Sequence, residues 1–181
     1  MKKVVASLML SGLMLTCATS VFADFPKIIF EGKTIGPTDT RTSLIKKFGK
    51  PTSGDKTYSY WDKPNFSMSA SYDQYGVKEF GIAQLKSVPS NVQLKVNEQT
   101  ITLGKDTINS AIKKFKYGCF DILDTKFNSN YSLSIAAGEE GEMNVVMDAE
   151  YTGKKSTSAN KPIFGFKFNT NEPDKSEGCN Y

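Results

Sequence analysis

Apolar and polar residues alternate along several segments of this chain. Serines separate the apolar positions of residues 66–72 and 131–135, and residues 143–151 are apolar at nearly every second position. Phe164, Phe166 and Phe168 repeat the pattern further along. A period of two predicts antiparallel strands that have one face covered by the rest of the protein and one face in contact with solvent.

Two other segments have the helical period and nearly the same sequence. Residues 39–50 read DTRTSLIKKFGK, residues 106–117 read DTINSAIKKFKY, and seven of the twelve positions are identical. Apolar residues spaced three or four apart make one stripe on each predicted helix. The stripe consists of Leu44, Ile45 and Phe48 in the first copy and of Ile108, Ala111, Ile112 and Phe115 in the second.

Residues at the ends of both copies support the helix prediction. Thr38 or Asp39 is placed to cap the first helix and Asp106 the second, because such side chains accept hydrogen bonds from the free N–H groups of a first turn. A lysine pair lies near the end of each copy, where cations offset the helix dipole. The shared residues therefore indicate how the fold is built rather than where it binds.

These patterns together predict the fold class. Each copy of the helix is followed by residues with the period of a strand, so we expect each helix to cover a small antiparallel sheet. The predicted class is α+β, with two tandem repeats that span residues 24–88 and 89–181. Each repeat is a short helical segment packed on an antiparallel sheet, and the two are expected to form one continuous sheet with an open face.

Residues 1–23 have the features of a secretory signal peptide. The basic start Met1-Lys2-Lys3 precedes an almost continuous apolar stretch, and small residues allow cleavage after Ala23. The apolar stretch is too short for a membrane span. Lipidation at Cys17 is the alternative, although Thr16 stands where lipoproteins carry a small residue. We therefore expect a periplasmic or secreted protein.

Two cysteines follow the predicted signal peptide, Cys119 and Cys179. In an oxidising compartment an even pair predicts one disulfide bond. A redox-active or metal-binding pair is the alternative, and neither a C-x-x-C motif nor any histidine supports it. Closing a loop of this length stabilises a fold by roughly 4 kcal/mol in the chain-entropy model.

The charge balance gives no reason to expect nucleic acid as the partner. Without Lys2 and Lys3, 21 of the 23 basic residues remain against 19 acidic ones, and the lysines are scattered. A nearly neutral balance of this kind is typical of a solvated protein surface.

Few residues could carry chemistry. The absence of histidine excludes Ser-His-Asp and Cys-His sites as well as histidine metal ligands. Asp148 and Glu150 lie two apart on the predicted solvent face, about 7 Å from each other, which is a separation that paired glycosidase carboxylates use. Charged residues also alternate outward on ordinary exposed strands, and that interpretation is preferred. We predict a protein that is not an enzyme, with no catalytic residue, cofactor or metal.

Several residues are candidates for binding a partner. If the serine-rich strand faces are the wet ones, the single tryptophan, Trp61, is exposed beside Ser59 on the same face of its strand. An exposed tryptophan amid small polar residues is typical of a protein-binding hot spot. Packing of Trp61 under a loop at the strand end is the alternative. The other candidates are Ser67, Ser69, Tyr75 at a predicted hairpin tip, Asp148 and Glu150.

A family resemblance points in the same direction. The segment from Gly36 to Pro51, followed by Tyr58-Ser59-Tyr60-Trp61 and Tyr75-Gly76-Val77, resembles the SmpA/OmlA outer-membrane assembly lipoproteins and the β-lactamase-inhibitory-protein-like domains. The second copy departs from the pattern, since Lys116-Tyr117-Gly118-Cys119 replaces the Gly-x-Pro ending. Two copies in one secreted chain are similar to the inhibitory protein more than to the single-copy lipoprotein. The resemblance implies a protein that binds other proteins through a broad open sheet face.

The expected function is therefore a periplasmic or secreted protein-binding module, an inhibitor or immunity-type protein that acts as a monomer through its open sheet face. The expected partner is another protein. An accessory protein of outer-membrane assembly is one alternative, and a carboxylate-dependent enzyme is another.

Overall fold

The computed structural model describes residues 25–86, 91–138, 142–170 and 179–180. Of these residues, 51% lie in strands and 14% in helices. The strands are β1 (Lys27–Phe30), β2 (Lys33–Ile35), β3 (Ser53–Gly54), β4 (Tyr58–Asp62), β5 (Phe66–Tyr72), β6 (Val77–Gln84), β7 (Gln93–Val96), β8 (Gln99–Thr102), β9 (Gly118–Asp124), β10 (Ser129–Ala137), β11 (Met143–Glu150), β12 (Ile163–Asn169) and β13 (Cys179–Asn180). The helices are α1 (Arg41–Phe48), α2 (Ile108–Phe115) and α3 (Lys155–Ser158).

The predicted fold class, an α+β chain of two helix-on-sheet repeats, is wrong. The described residues form a mostly β protein with two antiparallel sheets and three short helices. The two repeated helices have only eight residues each, which is too little to cover a large sheet by themselves. A second sheet supplies the missing cover, and the sequence patterns did not predict it.

The large sheet has the strand order β13-β9-β10-β11-β12-β6-β5-β4-β3. Its inner face is apolar, because every second residue of its long strands is buried, as in Met68 and Ala70 of β5 or Leu133 and Ile135 of β10. Strands β6 and β12 join the two halves of this sheet, with Gly81 opposite Lys167. The period of two therefore predicted the buried sides of β5, β10 and β11 correctly.

The small sheet has the order β2-β1-β7-β8 and contributes to the same core. Its hairpins β1–β2 and β7–β8 meet where β1 pairs with β7. Phe30 on β1 contacts Phe66 on β5, with 5.1 Å between the ring centroids, and so links the two sheets. The inner face of the large sheet thus packs against a second sheet as well as against the helices.

Helices α1 and α2 begin with the same hydrogen-bonded device. Thr40 and Thr107 are the N-caps, and each exchanges two hydrogen bonds with a serine three residues later, which makes a capping box. The predicted caps, Thr38 or Asp39 and Asp106, are therefore displaced from the observed ones by one or two residues. Asp39 and Asp106 instead accept hydrogen bonds from the Ser43 and Ser110 hydroxyls.

The second lysine of each pair reaches an edge of the small sheet. Lys47 Nζ donates to the Thr34 carbonyl on β2 (2.6 Å), and Lys114 Nζ donates to the Thr100 carbonyl on β8 (2.7 Å). Each lysine also contacts the aspartate that precedes its helix cap. Edge strands carry unpaired backbone groups, so these contacts occupy acceptors that another chain could otherwise use.

Candidate functional site on the outer face of the large sheet

The face of the large sheet that is turned away from the core is called the outer face here. The strand pairing identifies the residues of this face, because the residues that alternate with the buried ones lie opposite each other from strand to strand. From β4 across to β9 it consists of Tyr58, Tyr60, Asp62, Ser67, Ser69, Ser71, Glu79, Gly81, Ala83, Gly165, Lys167, Asn169, Asn144, Val146, Asp148, Glu150, Asn130, Ser132, Ser134, Ala136, Cys119, Asp121 and Leu123.

The middle of the outer face is lined by very small residues. Gly81 and Ala83 on β6 lie opposite Ser69 and Ser67 on β5, and Gly165 lies on β12. The Ser69 hydroxyl lies 3.3 Å from where a side chain at Gly81 would begin. With no large side chain at these positions, another molecule can approach the backbone of the central strands closely.

A hollow of about 470 Å³ lies on the outer face beside this central part. It is lined by Cys119, Phe120, Asp121, Leu123, Asn130, Ser132, Ser134, Asn144, Val146, Asp148 and Lys167. Strands β9 to β12 supply these residues, and most of them are polar. The hollow can therefore accept hydrogen-bond donors from a ligand, while Leu123 and Val146 offer apolar contact.

Asp148 is the most perturbed group in the hollow. Burial raises the pKa of its carboxyl group, although a hydrogen bond from Ser132 Oγ to Asp148 Oδ1 (2.5 Å) and the positive charge of Lys167 oppose that shift. The carboxylate lies near Gly165, where a side chain would start 3.6 Å from Asp148 Oδ2. A desolvated carboxylate in a cleft is typical of a functional site.

Glu150 does not join Asp148 in the hollow. Its side chain is exposed and forms an ion pair with Lys161 (3.4 Å). The two candidate carboxylates therefore lie in different surroundings, and the second acidic group that lines the hollow is Asp121 on β9. Paired-carboxylate chemistry between Asp148 and Glu150 has no support in this arrangement.

Of the two interpretations of Trp61, exposure is wrong and burial is the one observed. Only 1% of its surface is accessible, its ring meets Phe48 edge-on at 6.4 Å, and its Nε1–H donates to the Gly49 carbonyl (2.9 Å). Ser59 is likewise buried on the inner side of β4. On this strand the tyrosines face outward instead, so Trp61 and Ser59 belong to the core and not to a binding surface.

Ser67, Ser69 and Tyr75 lie where they are available to a partner. The two serines are half-buried residues of the outer face. Tyr75 is 83% exposed at the tip of the β5–β6 hairpin, where Asp73 Oδ1 accepts hydrogen bonds from the N–H groups of Tyr75 and Gly76. The tip packs against the loop before α1, because Val77 N–H donates to the Pro37 carbonyl (3.0 Å).

Gly76 is required for that packing. Its φ of +143° is one that residues with side chains rarely adopt, and a Cβ atom there would lie 2.5 Å from the Pro37 carbonyl oxygen. The glycine thus fixes the hairpin tip to the α1 side of the protein and determines where Tyr75 is presented.

The exposed apolar residues that the sequence patterns did not identify include Leu123 and Phe127. Phe127 is 86% exposed in the turn between β9 and β10, and Leu123 is 45% exposed at the adjoining edge of the hollow. Thr125 Oγ1 shapes the turn by accepting hydrogen bonds from the N–H groups of Phe127 and Asn128. The sequence did contain a signal for the exposure of Phe127, because this residue stands among polar residues in the segment 124–130, DTKFNSN. Leu123 at the end of β9 and Phe127 in the turn that follows are called the apolar corner.

The disulfide bond predicted between Cys119 and Cys179 is present. The two cysteines are directly opposite each other where β13 pairs with β9, so the bond ties the outermost strand to the edge of the large sheet. Cys119 also lines the hollow, which places the bond next to the candidate site.

The described residues contain neither a membrane-spanning helix nor a cluster of metal-ligating side chains. No helix there is long and apolar enough to cross a membrane. No group of three histidine, cysteine, aspartate or glutamate side chains in those residues could hold a metal ion. The predicted signal peptide and the alternative lipidation at Cys17 lie outside the described residues.

No protein-family model, curated protein or solved structure matches this chain. The resemblance to the assembly lipoproteins and the inhibitory-protein-like domains therefore stays a prediction from short motifs.

Proposed function

We propose that this protein binds another protein through the outer face of its large sheet, as an inhibitor or immunity-type protein of the periplasm or the extracellular space. The observation that carries the proposal is the composition of that face. It combines a centre of small residues, a polar hollow and an exposed apolar corner, and protein interfaces use apolar anchors surrounded by polar groups in the same way.

The size of the outer face suits such a partner. Seven strands from β4 to β9 span about 29 Å at roughly 4.8 Å per strand spacing. With strands of five to nine residues, the face offers an area comparable with the roughly 800 Å² that each partner contributes to a standard interface. A small-molecule ligand would use only the hollow and would leave the apolar corner without a role.

The disulfide bond supports the proposed location. Such bonds persist in oxidising compartments, and that is what a periplasmic or secreted protein would meet. The signal-peptide pattern of residues 1–23 and the resemblance to a secreted inhibitory protein favour the same location.

A capture experiment tests the proposal. The purified protein is immobilised and exposed to periplasmic and secreted extracts, and bound proteins are identified by mass spectrometry. Ser69→Arg places a large charged side chain on the small-residue centre, and we expect it to abolish capture of a specific partner. Thr42→Arg is the matched control, since Thr42 is exposed on α1.

Comparing capture by the Ser69→Arg and Thr42→Arg variants decides whether the outer face is the interface. Loss of capture with Ser69→Arg and retention with Thr42→Arg supports the outer face as the interface. Equal capture by both variants, each shown to be folded by circular dichroism, contradicts the proposal, and so does a loss that occurs only with Thr42→Arg.

A further inference from the structure

Charge is distributed unevenly between the two sides of the protein. Among the described residues, the strands of the outer face carry five carboxylates, on Asp62, Glu79, Asp121, Asp148 and Glu150, and one ammonium group, on Lys167. Glu150 is paired with Lys161 from the loop before β12, which leaves four carboxylates against one ammonium group. The whole chain nevertheless has a formal net charge of +4. The outer face is thus acidic, although without Lys2 and Lys3 the chain has 21 basic residues against 19 acidic ones.

Several exposed lysines lie on the opposite side. Lys27 and Lys95 are cross-strand neighbours on the solvent side of the small sheet, and the helices add Lys46 and Lys113 at exposed positions. Asp39 and Asp106 on this side are paired with Lys47 and Lys114. A partner attracted by electrostatics to the outer face would therefore have to be positively charged.

Asp148 has incomplete compensation for its charge. Among the ion pairs of the described residues none involves Asp148, although its carboxylate accepts a hydrogen bond from the Ser132 hydroxyl and the positive charge of Lys167 in the same hollow partly offsets its own. The fold itself buries this carboxylate and so excludes much of the water around it. An incoming cation would gain a charge-assisted hydrogen bond without the full cost of desolvating the aspartate.

We infer that the hollow receives a lysine or arginine side chain from a basic partner protein, with Asp148 as the main acceptor. Asp121 on the opposite wall lies within the same hollow, and Leu123 and Val146 can contact the methylene groups of such a side chain. The apolar corner of Leu123 and Phe127 then anchors the partner next to the charged contact. The inference rests on the proposed function, because it names the chemistry of the partner's surface.

The size of the effect follows from the burial of the contact. Removing one member of a desolvated charge pair weakens binding strongly, and we expect Asp148→Asn to reduce affinity about tenfold or more. Asp62→Asn is the matched control, since Asp62 is an exposed aspartate of the same face on β4. Loss of the Asp62 charge should change the affinity by less than about threefold, as is typical of an exposed charge.

A tetra-arginine peptide serves as the probe, with tetra-citrulline as its neutral counterpart. Backbone amide resonances of the isotope-labelled protein are followed by NMR at low ionic strength while each peptide is added. We expect tetra-arginine to shift the resonances of Ser132, Val146 and Asp148, tetra-citrulline to leave them unchanged, and Asp148→Asn to weaken the binding while Asp62→Asn does not.

Two results would overturn the inference. One is the absence of shifts in the hollow with tetra-arginine. The other is an equal loss of affinity in Asp148→Asn and Asp62→Asn, which would mean that the peptide binds acidic surface without using the hollow. Thermal melts of both variants establish that they are folded.

The capture experiment distinguishes this inference from the proposed function. If Ser69→Arg abolishes partner capture but Asp148→Asn has no effect on it, the outer face is the interface and the cationic contact is wrong. If tetra-arginine binds in the hollow but Ser69→Arg does not alter capture, the cation site stands and the proposed interface is wrong.

Discussion

The position of one tryptophan illustrates how a single residue escapes prediction. Serine alternation in β5 correctly identified its outer side, but the same rule applied to β4 put Ser59 on the wrong side. The register pairs Trp61 with Met68, which faces the core, and pairs Tyr60 with Ser69, which faces out. The face of the sheet on which a side chain lies is thus set by the residue that pairs with it on the next strand, and the sequence did not show that pairing.

Trp61 should therefore matter for stability. We expect Trp61→Ala to lower the free energy of unfolding by about 3–5 kcal/mol, because it leaves a cavity against Phe48 and an unpaired carbonyl at Gly49. Tyr75→Ala, which truncates an exposed aromatic residue, should change it by less than about 0.5 kcal/mol. Urea unfolding monitored by circular dichroism measures both. A Trp61→Ala protein as stable as the wild type would contradict the packing described for this residue.

The helices are the elements that the sequence predicted best. Their apolar stripes are confirmed by the burial of Leu44 and Phe48 in α1 and of Ile108, Ala111 and Phe115 in α2. The exact cap was not predictable, because threonine and aspartate are adjacent and both are good caps. The structure assigns the cap to the threonine and leaves the aspartate to join the helix start to a lysine two turns later.

Asp106 shows what the aspartate contributes to its element. Burial acts to raise the pKa of its carboxyl group, but hydrogen bonds from the Thr102 N–H, Lys114 and Ser110 outweigh burial and hold that pKa below its ordinary value. The ionised carboxylate therefore stabilises the fold at pH values above its ordinary pKa of 3.8. That contribution is lost as the pH falls through the lower pKa of the folded state.

Asp106→Asn should thus destabilise the protein in a pH-dependent manner. At pH 7 we expect a loss of roughly 1.5–3 kcal/mol in the free energy of unfolding, as for hydrogen bonds to a charged group. The difference from the wild type should shrink below about pH 4 and vanish at lower pH. Chemical denaturation over a pH series measures it, with Asp62→Asn as the exposed control. A difference that is constant with pH would exclude the ionised carboxylate as the cause.

At the scale of the whole molecule, local sequence patterns were not enough to predict how the strands assemble into sheets. The period of two predicted most long strands of the large sheet, whereas nothing in the short hairpins β1–β2 and β7–β8 showed that they join in a separate small sheet. Its assembly also depends on β1 meeting β7, and no pattern within either segment encodes that pairing. The candidate site was hidden for the same reason, since Asp121, Asp148 and Lys167 come from three different strands.

The disulfide bond is the feature of the whole chain that the sequence did predict. It closes a loop between cysteines 60 residues apart, and a loop of that size stabilises the fold by about 4 kcal/mol in the chain-entropy model. We expect a Cys119→Ser, Cys179→Ser double variant to lose stability of this order, measured by its midpoint in guanidinium chloride. Reduction of the wild type should give a similar loss, and reductant should leave the double variant unchanged. Equal midpoints for all samples would contradict the prediction.

The pairing of β6 with β12 also constrains the order in which the protein can fold. Gly81 and Lys167 are opposite each other although 86 residues separate them, so the middle of the large sheet cannot close until nearly the whole chain has been made. Proteins dominated by such distant contacts fold slowly. Until β12 arrives, the first half exposes a strand edge that is a template for aggregation. A nascent chain of this protein thus depends on its last strands for protection, and a truncation before residue 163 would leave that edge permanently open.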